Sequence, residues 1–471
     1  MSRTAGSATA MRDIELLEPE PSPEPARSMR GYRWGAAALA VAVVATAAAV
    51  QHGVDARADA REARLAAVDG ILAPLDGPPK ARWSLDHPEA SVTYGRPADG
   101  VLVGGSSVDH QVELHGVDVE TGVVLWRTPV EVPVDETLWA WCDPVSTSTG
   151  AELAVCTAGP DGPAAAIALS SRTMWTLVPR TGEVLTSWRA RGDASVLVTD
   201  DQLVMASAPG TDVWQVEALD PATARPLWTF HPSIARSEAD FVQPQLVDDE
   251  AGRILVSLGG HAWLLDRQGR AVLERSTPPA TWWVSLRPGS LLGRALERDG
   301  RAQGIAVLPA AGVIPLAEQA VQPFPDDGTT PDVILSIDIG PAEPVLVARS
   351  ATTGDVLWRR PGNVLTALVL DGTLYVGGER GVAAVDIRTG DTRWSRATEH
   401  SASTISTDGD ELIVLEPPST VTAYALRDGH PTWSSDVEAT LGIGPIASVD
   451  LSPGSRAVVA WGRDGSVTVL G

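Results

Sequence analysis

The chain has 471 residues, room for roughly two to four ordinary domains or one large repeat architecture. Lys and Arg number 36 against 60 Asp and Glu, a net charge of −24, which argues against a nucleic-acid partner because phosphate binding needs a basic surface. A hydrophobic content of 44% excludes global disorder, and 16 Trp against 3 Phe and 4 Tyr calls for an indole that recurs for a geometric reason.

Residues 1–33 carry the run Glu18-Pro19-Glu20-Pro21-Ser22-Pro23-Glu24-Pro25. Repeated helix breakers without an apolar period predict a disordered tail. Trp34 to Val50 follows, seventeen residues without a charge. At 1.5 Å per residue it spans about 25 Å, and extension to Val54 reaches the roughly 30 Å of a hydrocarbon core. We expect a membrane helix over 34–54. Arg27, Arg30 and Arg33 precede it, so the positive-inside rule puts the tail in the cytoplasm and the rest outside. A cleaved signal peptide, with Ala47-Ala48-Ala49 as the small-residue site, is the other reading, and it exports the same bulk. Asp55, Asp59 and Glu62 interleave with Arg57, Arg61 and Arg64, and residues 55–80 read as a juxtamembrane helix and linker.

Cys142 and Cys156 are the only cysteines. In an exported chain, on two apolar runs joined by a Ser/Thr/Gly-rich turn, they are candidates for a disulfide across a hairpin; two buried thiols are the alternative.

From residue 81 onward one phrase recurs: an apolar strand, a turn ending in Gly, and a short strand ending in Trp. It reads Asp118-Val-Glu-Thr-Gly122 to Trp126, Thr181-Gly182 to Trp188, Asp220 through Ala224 to Trp228, Thr353-Gly354 to Trp358, Asp386 through Gly390 to Trp394, and Asp428-Gly429 to Trp433. Weaker copies turn at Gly269 and Gly312 without the Trp. Five of the seven intervals between successive turns lie between 39 and 45 residues. That period, with alternating β-branched runs and no 3.6-residue pattern, predicts an all-β propeller of about eight four-stranded blades, with seven to nine allowed, over 81–471. Gly suits a positive φ at the turn, Asp can cap it, and Trp can fill the gap between blades with its N–H on a carbonyl. The chain ends on Ser466 to Leu470 without the Trp strand, and Ala81-Arg82-Trp83-Ser84 resembles Thr392-Arg393-Trp394-Ser395. Residues 81–86 are therefore expected to complete the last blade and close the ring.

The phrase D-x-x-T-G-x-x-x-W, whole at Asp118 to Trp126 and Asp386 to Trp394, resembles the repeat of quinoprotein-type (PQQ-like) propellers. That group includes pyrroloquinoline-quinone-dependent alcohol dehydrogenases and the propeller lipoprotein of the outer-membrane assembly machinery. The dehydrogenase resemblance implies adjacent cysteines over a quinone, a Ca²⁺ site of carboxylate and amide groups and a catalytic Asp. Here the cysteines are fourteen apart and Asn363 is the only asparagine. No catalytic, cofactor or metal residue is assigned. His110 and His115 lack a metal spacing, Asp248-Asp249-Glu250 and Asp326-Asp327-Gly328 read as charged turns, and Trp282-Trp283 as strand filling. The expected function is a membrane-anchored, extracytoplasmic protein-binding or scaffold module of the cell envelope, not an enzyme, with an envelope protein as partner. A quinone-dependent oxidoreductase and a small-ligand sensor are the alternatives.

Overall fold

The computed structural model describes Thr46, residues 50–53, Ala56 and 60–471, apart from 88, 109–110, 132–137, 148, 161–170, 192–193, 209–212, 235–243, 279–280, 297–301, 309–311, 317, 340–342, 418, 443 and 453–455. It divides into two compact units, 1–61 and 62–471. In the first, the described residues are helical. The expected tail 1–33 lies outside the described residues, as does most of the expected membrane helix 34–54. No helix among the described residues is long and apolar enough to cross a membrane.

The second unit is built of antiparallel strands that follow one another in sheets: seven of four strands and one of eight among the described residues. The sheet 366–396 shows why the sequence folds this way. Its strands are Thr366–Leu370, Thr373–Gly378, Gly381–Asp386 and Thr392–Arg396. Asp371 and Gly372 both take positive φ (47° and 71°), the two-residue turn whose twist suits a hairpin. Both faces of the middle strands are buried, so each sheet needs a neighbour on either side. The core supplies it: Leu368, Tyr375, Ala384 and Trp394 pack with Ile405, Leu412 and Tyr424 of the next sheet, and similar clusters join the other sheets. First strands of neighbouring sheets lie beside one another and line the axis of a β-propeller.

The ring closes through its ends. Ala81–Leu85 is the fourth strand of the sheet whose other three are Ile446–Ser452, Ala457–Gly462 and Val467–Leu470. Trp83 pairs with Val469 and Leu85 with Val467; Lys80 and Gly471 exchange backbone bonds at 3.0 Å. That sheet then packs on Val92, Leu102 and Val117 of the following one.

The eight-stranded sheet is a local departure. Val101–Val108 pairs with Gln111–Asp118 and, through Gly104 to Ser106, with Leu138–Ser146. A 3-10 helix, Glu89–Tyr94, lies against this strand. A Cβ on Gly104 would come within 2.9 Å of the Val92 backbone, so glycine permits the approach. In sheet 319–361 the first strand is only Gln319–Val321.

Candidate functional site: the turn rim and the axial neck

In an antiparallel sheet of four strands, the first and third turns share one end. That rim therefore carries the repeated Gly turns. All eight turn positions, 122, 182, 224, 269, 312, 354, 390 and 429, have positive φ, Ala224 included at 54°. At six of the eight, Gly122, Gly182, Ala224, Gly354, Gly390 and Gly429, the N–H donates to the carbonyl four residues back. Asp118 accepts from the N–H groups of Glu120 and Thr121 and from the Thr121 hydroxyl at 2.8 Å; Asp220 repeats the pattern. The Thr121 bonds hold the Asp118 carboxyl below the usual range. Asp386 is held down first by Arg393 and then by its own turn N–H groups.

These glycines do a second job. Each turn lies on the tryptophan of the preceding repeat: Gly122 on Trp83, Gly182 on Trp126 (both in the eight-stranded sheet), Gly269 on Trp228, Gly390 on Trp358 and Gly429 on Trp394, with an added Cβ 2.4–2.8 Å from the indole. The indole N–H bonds the same turn: Trp83 to Val119, Trp126 to Pro179, Trp358 to Ile387 and Trp394 to Leu426, each to a carbonyl. Trp228 reaches the next turn through Gln202, which accepts from the indole and donates to the Arg267 carbonyl. Trp433 donates to Glu411 at 2.8 Å, and Trp188 packs against the buried cluster that holds Leu203 and Leu219. At Gly354 the indole is replaced by Ile314. Further toward the axis, arginines of one turn clamp the acidic hairpin of the preceding repeat, Arg180 to Asp99 and Arg267 to Asp201. Being exposed, these pairs contribute little individually to stability.

The expected linker is partly core. Leu65, Ile71 and Leu72 are buried, and residues 64–75 form a neck seated on the inner strands. Arg64 pairs with Asp371, and Asp69 with Arg96. Ile71 makes a parallel bridge to Thr407; Leu72 donates to the Thr407 carbonyl and Ala73 to that of Arg456, both at 2.8 Å. The Arg456 guanidinium returns bonds to the Ile71 and Leu72 carbonyls, and the Ser406 hydroxyl donates to that of Gly70. Phe324 lies where a Cβ of Gly70 would be. Its own loop adds a parallel bridge from Asp326 to Val369. The neck thus ties together hairpins and inner strands from opposite stretches of the ring. An aliphatic cluster, Ile71-Leu72-Ala73-Pro74-Leu75, inside a charged stretch was the available sequence signal.

Cys142 and Cys156 are directly opposite in register and joined by a disulfide. Asp143 beside it has its carboxyl pushed up by burial. In the charged turn 248–250, Asp249 is fully buried and bonded to the Ala251 and Arg253 N–H groups and the Arg253 side chain. Burial raises both Asp248 and Glu250, with the charges of Asp249 and Asp200 adding to the first and those of Asp248, Asp326 and Asp249 to the second. Trp283 is buried while Trp282 is exposed. His115 is fully buried, 3.8 Å from Glu113; His110 lies outside the described residues. Among the described residues no three metal-ligating side chains gather.

The dehydrogenase cofactor does not fit these residues. The disulfide spans two strands rather than adjacent residues, the Asn363 amide is engaged by Glu379, and the neck occupies inner-strand edges on the axis.

Residues 332–470 match the family model described as outer membrane protein assembly factor BamB. The quinoprotein-type repeat is present in this chain. No curated protein matches it. Among solved structures, it is similar to BamB from Moraxella catarrhalis, at 14% identity over 83% of this chain and 99% of that one, with a TM-score of 0.42. It is also similar to Sqt1 of Saccharomyces cerevisiae (10%, 85% and 98%, 0.39) and to a eukaryotic initiation factor (11%, 78% and 90%, 0.45). Likenesses at this level say nothing about what the chain binds.

Proposed function

We propose that the chain is a single-pass, membrane-anchored, extracytoplasmic propeller that binds another protein of the cell envelope and performs no catalysis. The uncharged stretch 34–50 behind three arginines supports the anchor. The matched family's description, an outer-membrane assembly factor, supports an envelope partner. The observation that carries the reading is the neck on the axis: it takes up inner-strand edges and, through Phe324, part of the loop 323–331, and it leaves rim loops such as 143–151 as the surfaces for recognition. On this reading the eight-stranded sheet is two units joined at Gly104 to Ser106, and the ring has nine units, at the upper end of the expected range.

Reporter fusions before residue 34 and after Gly471 test the topology; a cytoplasmic signal from the second would end the envelope reading. Crosslinking in intact cells should then recover a protein that is lost when 143–151 is rewritten. Turnover of alcohols or sugars with added quinone and Ca²⁺ would favour an oxidoreductase instead.

A further inference from the structure

The 3-10 helix Glu89–Tyr94 lies in the seam through which the ring closes. Its Ala90 and Val92 pack with Leu85, Val459 and Val467 of the closing sheet and with Leu102 and Val117 of the following one. The Ser452 hydroxyl donates to the Thr93 carbonyl at 3.0 Å. His115 stands opposite Gly104 on one side and Arg127 on the other. Residues directly opposite in an antiparallel sheet share a face, so these three form a row. The helix spans that row. Val92 lies on Gly104, and Glu89 accepts from the Arg127 guanidinium at 2.7 and 3.2 Å. The imidazole between them is fully buried.

Neither ring nitrogen has a hydrogen-bond partner among the described residues. Glu113, two residues along the same strand, comes no closer than 3.8 Å, beyond hydrogen-bond reach, and Glu89 is committed to Arg127. The charges acting on the ring are Glu113 from its own strand, Glu89 from the helix and Arg127 from the next strand. Strand Val101–Val108 carries no charge, and the closing sheet meets the seam with apolar side chains. Asp86 and His87 precede the helix, and Asp450 acts on Tyr94 at its far end. A neutral imidazole fits such an enclosure. An imidazolium brings two N–H donors and a charge, and the enclosure offers no acceptor within reach while Arg127 repels it. Hydrating the ring requires the cover to move.

We propose that helix 89–94 is an acid-released latch on the closing seam: when His115 takes up a proton, the Glu89–Arg127 pair opens, the helix lifts and water reaches the ring. The helix is the weakly held part of this seam, fastened by an ion pair with a half-exposed arginine and by the Ser452 bond. Trp83 keeps its own bond to Val119, and Ala81–Leu85 its pairing with the last strand, so the ring stays closed while the latch is open. The opening is local, and it does not depend on the reading proposed above.

The test is hydrogen–deuterium exchange of the full-length chain in detergent at pH 7.5 and 5.5, with labelling times scaled to the intrinsic exchange rate. Peptides covering 89–96 are compared with the middle strand Gly381–Asp386 in the same sample. Protection of 89–96 relative to that strand should fall roughly three- to tenfold at the lower pH, the range open to an imidazole that titrates near 6.5 once exposed. His115→Phe, which keeps a ring but takes up no proton, should hold the ratio within twofold. His115→Ala, the residue that sheet 366–396 has at this register, is the second variant; it loosens the helix at both pH values and should leave the ratio between them flat. An unchanged ratio in the wild-type chain would overturn the proposal. So would the same fall in the two variants, or loss of protection at 381–386 in step with 89–96, which would mark general acid unfolding.

Discussion

Sheets 366–396 and 282–315 have the same four-strand order but differ at their seams. In the first, Trp394 lies under Gly429 and bonds the Leu426 carbonyl. In the second, the last strand, Gly312–Pro315, offers Ile314 to Gly354 and no indole. Gly312 itself has open space where its Cβ would be, yet keeps φ at 71°. The turn conformation is therefore the fixed requirement, and the side chain filling the seam is replaceable by another apolar group of suitable shape. Ala224 makes the same point, holding a positive φ without being glycine.

The largest expected effect comes from opening a seam altogether. Deleting 81–86 removes the fourth strand of the closing sheet and exposes Val467 and Val469. Calorimetry should show loss of the cooperative transition; unchanged melting would refute the closure. Next comes the indole itself. Trp358→Ala should cost about 3–5 kcal/mol in urea denaturation. Ile314→Ala, at a partly buried position, should cost no more than about 2 kcal/mol. Equal losses would mean that the seams do not differ.

Glycine separates the two regions more finely. Gly312→Ala meets only the left-handed backbone penalty of about 1–2 kcal/mol. Gly390→Ala adds a clash with Trp358, about 1–3 kcal/mol more. Matching denaturation midpoints for the two variants would remove the seam role from Gly390. The smallest effect concerns His115, which stands in register where sheet 366–396 has Ala383. Burial is the main cause holding the imidazole below its ordinary value of 6.5, against the opposing pull of Glu113 and Glu89, with Arg127 adding to the depression. The unfolded chain takes up the proton more readily, so this contribution to stability is complete above 6.5 and declines as pH falls below it. His115→Ala should flatten the melting temperature between pH 7 and 5. An unchanged slope would assign the acid sensitivity elsewhere.

The repeat was legible because a single geometry imposes it many times. A positive φ, a capping Asp and a Trp each leave a residue at a fixed offset, so Asp118 to Trp126 already describes a seam. The closure was legible for the same reason, through Trp83. The neck was not: Ile71 and Leu72 find their partners at Thr407 and Arg456, and no periodicity links positions so far apart. Nor did the sequence reveal that Gly104 would admit a helix, or that His115 would be enclosed, since both depend on which backbone happens to approach.

The neck also sets an order of events during synthesis. Gly70 is joined to Ser406 across 336 residues, and Arg456 to Ile71 across 385. The earliest part of this unit to emerge from the ribosome must wait for nearly the last before its aliphatic side chains are covered. Such distant pairing slows folding and leaves sticky surface uncovered meanwhile, so a nascent chain stalled before residue 400 has no place to put Ile71 and Leu72.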